Sequence, residues 1–155
     1  MKLIQAVLFS LSVLLALPAT AQTATDMKIL ADKVKADKKL VVAANMQLTE
    51  EEAKGFWPVY EAYQKDLAGI NNRLIGTIKN YADAFNKGPV SDEAAKKLLN
   101  QAIAVEEAEL KLKRSYVPKL EKVLPGTKVA RYIQIETKIR ALIRYELAAQ
   151  IPLVE

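Results

Sequence analysis

Apolar residues recur every three or four positions through the middle of this chain, and that spacing predicts one long amphipathic helix. The predicted helix runs from about Glu50 to Asn86. Its continuous apolar stripe consists of Tyr60, Tyr63, Leu67, Ile70, Leu74, Ile78, Tyr81 and Phe85. Thr49 is suited to cap its start, and Glu52 occupies the reciprocal position of a capping box. A chain built around such a helix must cover the stripe with other helices.

Turn signals divide the rest of the chain into three more helices. The first is predicted over about Asp26 to Asn45. Lys87-Gly88-Pro89 ends the long helix, and Ser91 begins a third helix whose stripe is Leu98, Leu99, Ala102, Val105, Leu112, Tyr116, Leu120 and Val123. The turn at 124–127 opens a last helix to about Ala149, with Val129, Tyr132, Ile133, Ile139, Leu142, Ile143 and Leu147 in its stripe. The predicted fold is therefore all-α, an elongated antiparallel helical hairpin with two flanking helices.

Two prolines suggest that this hairpin is curved. Pro58 lies 30 residues before Gly88 and Pro118 lies 30 residues after it, so both fall at one level of the hairpin. Each removes a backbone donor and bends its helix, and Gly55 is expected to relieve part of the clash at Pro58. A homodimer is also expected, because a thin hairpin alone leaves part of a wide apolar stripe uncovered.

The N-terminus has the pattern of a secretory signal peptide. Met1-Lys2 is followed by an apolar run from Leu3 to Leu17 and by the small residues Ala19-Thr20-Ala21. Cleavage after Ala21 would leave 22–155 as a single all-helical domain in the periplasm, and no Cys is present at the cut to carry a lipid. The alternative is that the run is retained as a membrane anchor.

The chain contains neither Cys nor His. It therefore has no thiol nucleophile, no imidazole base and none of the usual ligands for zinc. No pair of carboxylates is arranged as a site in the sequence either. We expect a protein that is not an enzyme and has no cofactor or metal.

Positive charge is concentrated in the last third of the chain. Residues 111–144 contain ten Lys or Arg and only two acidic residues, a net charge of +8, whereas 22–110 carry −2. Such a surface attracts anionic partners, and in a secreted protein these are acidic proteins or lipid head groups rather than nucleic acid. The candidate binding residues are Phe56, Trp57, Lys111, Lys113, Arg114, Lys119, Lys122, Arg131, Lys138 and Arg140. The alternatives are that these charged residues only form the solvent-exposed faces of two helices and that Phe56 and Trp57 belong to the core.

Two smaller expectations concern ion pairs and the C-terminus. Glu106 and Glu109 share one face of the third helix, and the i,i+4 order favours pairs from Glu107 to Lys111 and from Glu109 to Lys113. The apolar tail 151–154 is expected to pack on the helices or on a second subunit.

The segment Leu48-Thr49-Glu50-Glu51-Glu52, placed before a long helical hairpin, resembles the Spy/CpxP family of periplasmic proteins. The resemblance implies a curved, all-helical antiparallel dimer whose basic concave surface holds clients. It also implies ATP-independent chaperoning or a role as a stress-signalling adaptor, with unfolded or envelope proteins as partners. The alternative function is that of a structural or membrane-surface protein whose basic amphipathic helices bind anionic lipid.

Overall fold

The computed structural model describes residues 37–154, and the regular structure within this range is entirely helical. Residues 37–46 are helical (α1), followed by α2 (Glu50–Phe85), α3 (Asp92–Glu121) and α4 (Gly126–Gln150). The all-α prediction is confirmed. The predicted signal peptide, residues 1–21, and the predicted start of the first helix lie outside the described residues.

The chain divides into two compact units, one ending at Gln47 and the other beginning at Leu48. In the first unit, the described residues are α1 and Gln47, whose φ of 50° takes it out of the helix. The second unit contains α2, α3 and α4 and carries all the candidate residues.

Local signals at the helix ends formed as predicted. The Thr49 hydroxyl accepts a hydrogen bond from the Glu52 amide at 3.3 Å, and Glu52 Oε2 accepts one from the Thr49 amide at 2.8 Å. Ser91 caps α3 by accepting from the Ala94 amide at 3.3 Å. Between the two helices Gly88 has a φ of 126°, which an L side chain rarely adopts, so the turn depends on glycine here.

α2 and α3 form the predicted antiparallel hairpin. The rings of Tyr63 and Tyr116 lie 5.3 Å apart, and Gly55 lies against Val123. Both pairs are nearly equidistant in sequence from the Gly88 turn, a register that puts Pro58 and Pro118 within one helical turn of the same level. Both helices continue through their prolines. The curvature expected from these prolines stays a prediction.

α4 runs antiparallel to α3 and parallel to α2. Arg140 and Arg144 of α4 reach back to Glu109 and Glu106 of α3, and successive side chains of α4 meet successive side chains of α2. The buried apolar side chains of this unit are Phe56, Tyr60, Tyr63, Leu67, Val105, Tyr116, Leu120, Leu124, Val129 and Tyr132. They gather at the open end of the hairpin, since no residue from 68 to 104 is buried.

The structure corrects several details. Leu99, Ala102 and Leu142, which were expected in core stripes, are exposed. Gly55 also allows the close approach of Val123, since a Cβ at this glycine would lie 2.9 Å from the Val123 Cβ, while its expected relief of the clash at Pro58 stays a prediction.

The apolar tail packs only in part. The Tyr81 hydroxyl donates a hydrogen bond to the Pro152 carbonyl at 2.9 Å, which fixes the tail to α2. Leu153 and Val154 beyond it are exposed. Packing on the helices is therefore limited to the first residues of the tail, and packing on a second subunit stays a prediction.

Candidate functional site

Aromatic rings fill the open end of the hairpin. Phe56 lies between Trp57, Tyr60 and Tyr132, with ring centroids 5.0, 5.9 and 5.1 Å away. Phe56 is fully buried, which is a correction: it belongs to the core and does not present its ring to a client. Trp57 is half-buried and forms the solvent-facing edge of the cluster.

Polar side chains at the edge of the aromatic cluster join α2 to α4. Gln64 Nε2 donates to Glu136 Oε1 at 2.9 Å and to the Tyr132 hydroxyl at 3.3 Å. Glu136 is itself buried. Burial, followed by the charge of Glu136, raises the pKa of Tyr63 and of Tyr132 well above the usual value for tyrosine. Both hydroxyls therefore stay protonated well into the alkaline range, and that of Tyr132 accepts the hydrogen bond from Gln64.

A second polar cluster fixes α4 to the hairpin through ion pairs. Arg140 pairs with the buried Glu109 and donates to Asn71 Oδ1 at 2.7 Å. Arg144 bridges Glu109 at 3.0 Å and Glu106 at 2.8 Å. Burial, and then the charge of Arg144, lowers the pKa of Arg140.

This cluster corrects two predictions from the sequence. Arg140 is committed to a buried ion pair and is not part of a binding surface, and Glu109 pairs across helices instead of with Lys113. The predicted pair from Glu107 to Lys111 is also absent from the ion pairs of the described residues.

Three of the predicted basic residues share one exposed side of α3. Lys111, Arg114 and Lys122 recur at helical spacing and are exposed. No ion pair involves any of the three within residues 37–154. We call these three residues the α3 basic face.

Lys113 and Lys119 lie outside this face. Lys113 is half-buried, and the Lys119 ammonium stacks over the Tyr116 ring, 3.9 Å from its centroid. Lys119 therefore helps to cover the core through a cation–π contact.

The basic residues of α4 form a separate group. Arg131 and Lys138 are exposed and lie seven residues apart, on one side of the helix. Arg131 is nine residues from Arg140, which places it on the opposite side of α4 from the ion pairs with α3. The structure thus brings the predicted basic residues together as two groups and not as one surface.

An apolar row on α3 was missed by reasoning from the sequence. Leu99, Ile103 and Leu110 are 59%, 45% and 52% exposed. They follow helical spacing on a side of α3 adjacent to its core stripe. One sequence signal could have predicted this row. The apolar residues of α3 occupy two neighbouring sides of the helix, whereas contact with one core requires apolar residues on only one side.

Other kinds of site were also sought among the described residues. No cluster of three His, Cys, Asp or Glu side chains suited to a metal ion occurs there. None of the described helices is both long and apolar enough to span a membrane.

No known family model, characterised protein or solved structure matches the chain.

Proposed function

We propose that this protein is a periplasmic binding protein that holds unfolded or envelope proteins without ATP, as a chaperone or a stress-signalling adaptor. The observation that carries the proposal is the α3 basic face, on which Lys111, Arg114 and Lys122 are exposed without ion pairs among the described residues. Lys111 and Lys122 lie three helical turns apart, or about 16 Å along the axis. An extended acidic segment fits a row of cations of this length.

Charge and apolar contact have different roles in this proposal. Long-range attraction to the basic face raises the rate at which acidic chains meet the protein. The exposed Leu110 beside Lys111 offers apolar contact to the unfolded segment once it has arrived. Because salt screens exposed charges, capture is expected to weaken as ionic strength rises.

Light scattering tests the proposal directly. An acidic, aggregation-prone protein is diluted from denaturant into buffer without ATP, with and without the purified protein. The test variant is Lys111→Glu/Lys122→Glu, and the matched control is Lys79→Glu/Lys87→Glu, which makes the same change of net charge at exposed positions of α2 and the turn.

The proposal expects wild type and control to suppress scattering and the α3 variant to lose most of that suppression. Equal loss in both variants would mean that only net charge matters and that the α3 face is not the site. No suppression by wild type would overturn the chaperone function.

A second function, binding to an anionic membrane surface, is favoured by one side of α4. Leu142 and Tyr145 are 38% and 73% exposed and lie on the same side as Arg131 and Lys138. Basic and apolar side chains together on one side of a helix suit the interface of an anionic bilayer.

Co-sedimentation with phosphatidylcholine vesicles, with and without phosphatidylglycerol, separates the two functions. Salt-sensitive binding that needs the anionic lipid and is lost in Arg131→Glu/Lys138→Glu would support the lipid surface. Binding that survives this substitution, or that is absent in wild type, would exclude it.

A further inference from the structure

An ion pair marks where α3 and α4 meet at the molecular surface. Arg144 Nη1 donates to Glu106 Oε1 at 2.8 Å, and the two side chains are 42% and 62% exposed. Ile103 lies three residues before Glu106 and Leu110 lies four residues after it, so both are one turn from the pair on the same side of α3. Because both belong to the apolar row, this row borders α4.

α4 leaves the row uncovered because it places only small side chains beside it. Ala141 lies three residues before Arg144 and Ala148 lies four residues after it, and both are exposed. Since α3 and α4 run antiparallel, Ala141 is at the level of Leu110 and Ala148 is at the level of Ile103. We call the resulting apolar surface the α3–α4 seam; it consists of Leu99, Ile103, Leu110, Ala141 and Ala148.

The spacing of side chains along the seam suits a helical partner. Ile103 and Leu110 are seven residues apart, as are Ala141 and Ala148, so contacts repeat about every 10.5 Å along the seam. Side chains seven residues apart on a second helix repeat at the same interval, which is the basis of heptad packing. Side chains on one side of an extended segment repeat about every 6.6 Å and fall out of step.

Positive charge borders the seam. Glu106 and Arg144 neutralise each other. The other charged side chains one turn from a residue of the seam are four cations and one acid, a net charge of +3: Lys96, Glu107, Lys113, Arg114 and Lys138. Arg114 and Lys138 are exposed on the two helices at the same end of the seam, and neither has an ion pair among residues 37–154. Acidic side chains on both sides of an apolar stripe would complement this arrangement.

We infer that the α3–α4 seam binds an amphipathic helix of another protein, one whose apolar stripe is bordered by acidic residues. Its apolar side chains pack over Ile103 and Leu110, and its acidic side chains face Arg114 and Lys138. The inference goes beyond the proposed function, because a folded helix can bind the seam whether or not the protein holds unfolded chains.

Fluorescence anisotropy with a labelled synthetic peptide tests the inference. The peptide is about 20 residues long, with leucine at positions a and d of a heptad repeat and glutamate at e and g. A second peptide differs only by a proline at one central, solvent-facing position, which breaks the helix. We expect wild type to bind the first peptide with a Kd on the order of 10⁻⁵ M and the second at least about tenfold more weakly.

One pair of double variants tests the apolar contacts. Ile103→Ser/Leu110→Ser should raise the Kd for the first peptide at least about tenfold. The matched control Ile75→Ser/Leu153→Ser makes the same two changes at side chains of α2 and the tail that are 62% and 87% exposed. The control should leave the Kd within about twofold of wild type. Far-UV circular dichroism checks that all variants are equally helical.

A second pair tests the charges. Arg114→Glu/Lys138→Glu should raise the Kd about tenfold at low ionic strength. Lys79→Glu/Lys87→Glu makes the same change of net charge away from the seam and should raise it less than about threefold.

Several results would overturn the inference. They are a wild type that binds no peptide up to about 200 μM, a proline peptide that binds as well as the first, and equal losses within either pair of variants. A wild-type dimer in sedimentation velocity that Ile103→Ser/Leu110→Ser dissociates would also overturn it, because a second copy would then cover the seam. Peptide binding without suppression of aggregation would refute the proposed chaperone function alone, and suppression without peptide binding would refute the inference alone.

Discussion

Replacing Gly55 by alanine tests how closely α2 and α3 pack at the open end of the hairpin. A Cβ at this position would lie 2.9 Å from Val123 Cβ and 3.0 Å from its Cγ1, so one of the helices must shift. Overpacking of this kind costs about 1–3 kcal/mol. Alanine in a helix interior contributes about 1 kcal/mol in the other direction. The expected net effect of Gly55→Ala is a loss of about 0–2 kcal/mol of unfolding free energy.

The same helix offers a matched control. A Cβ at Gly69 or Gly76 would meet nothing within 4 Å, so alanine at either position should stabilise the protein by up to about 1 kcal/mol. Urea unfolding followed by circular dichroism should then place Gly55→Ala about 1–3 kcal/mol below Gly76→Ala.

The substitution Val123→Ala supplies the second half of a double-mutant cycle with Gly55→Ala. It removes Val123 Cγ1, which would lie 3.0 Å from the new Cβ, and keeps the contact with Val123 Cβ at 2.9 Å, so it should cost less in the Gly55→Ala background than in wild type. If Gly55→Ala stabilised the protein as much as Gly76→Ala does, the reasoning about this helix contact would be refuted.

Three further predictions concern the ion pairs of Arg140 and Glu52 and the buried Tyr116. Arg140→Met should cost up to about 3 kcal/mol in urea unfolding because it leaves the buried Glu109 paired with Arg144 alone, and Glu109→Leu in the same chain should recover most of it; no recovery would mean that the two side chains are not coupled. The hydrogen bond from Lys128 lowers the pKa of Glu52 from 4.5. The contribution of Glu52 to stability is therefore present above pH 4.5 and is lost as pH falls through the pKa of the folded state. Glu52→Gln should flatten the acid side of the plot of unfolding free energy against pH, and an unchanged slope would contradict this. Burial raises the pKa of Tyr116 from 10.0 to about 12. The contribution of Tyr116 to stability is therefore complete below pH 10 and is lost as pH rises toward 12. Tyr116→Phe should flatten the alkaline side of the plot of unfolding free energy against pH, and a steeper fall would refute this role of Tyr116.

Features set by neighbours in sequence were predictable. The Thr49–Glu52 capping box, the Gly88 turn and the Ser91 cap each depend on a few consecutive residues, and all three formed as expected. The hairpin followed from these signals because a short turn between two long helices leaves only an antiparallel arrangement.

Contacts that depend on how a further helix packs against the hairpin could not be predicted from the sequence. Periodicity shows where Arg140 lies around α4, but it does not show that Glu109 of α3 stands opposite. The spacing alone therefore predicts a surface cation at Arg140, although its guanidinium is largely buried. Leu99 was assigned to the core because it follows an apolar spacing that its neighbour Leu98 also fits, and one helix cannot decide which of the two a partner covers.

The confinement of buried side chains to one end of the hairpin has a consequence for how the molecule opens. Helical segments without buried contacts unfold locally at lower free energy than the segments that pack the core. Backbone amides near Gly88, in the last turns of α2 and the first turns of α3, should exchange with solvent deuterium well before those around Tyr63 and Tyr116. A protease that cuts at the turn should then leave two fragments that stay associated through their aromatic ends.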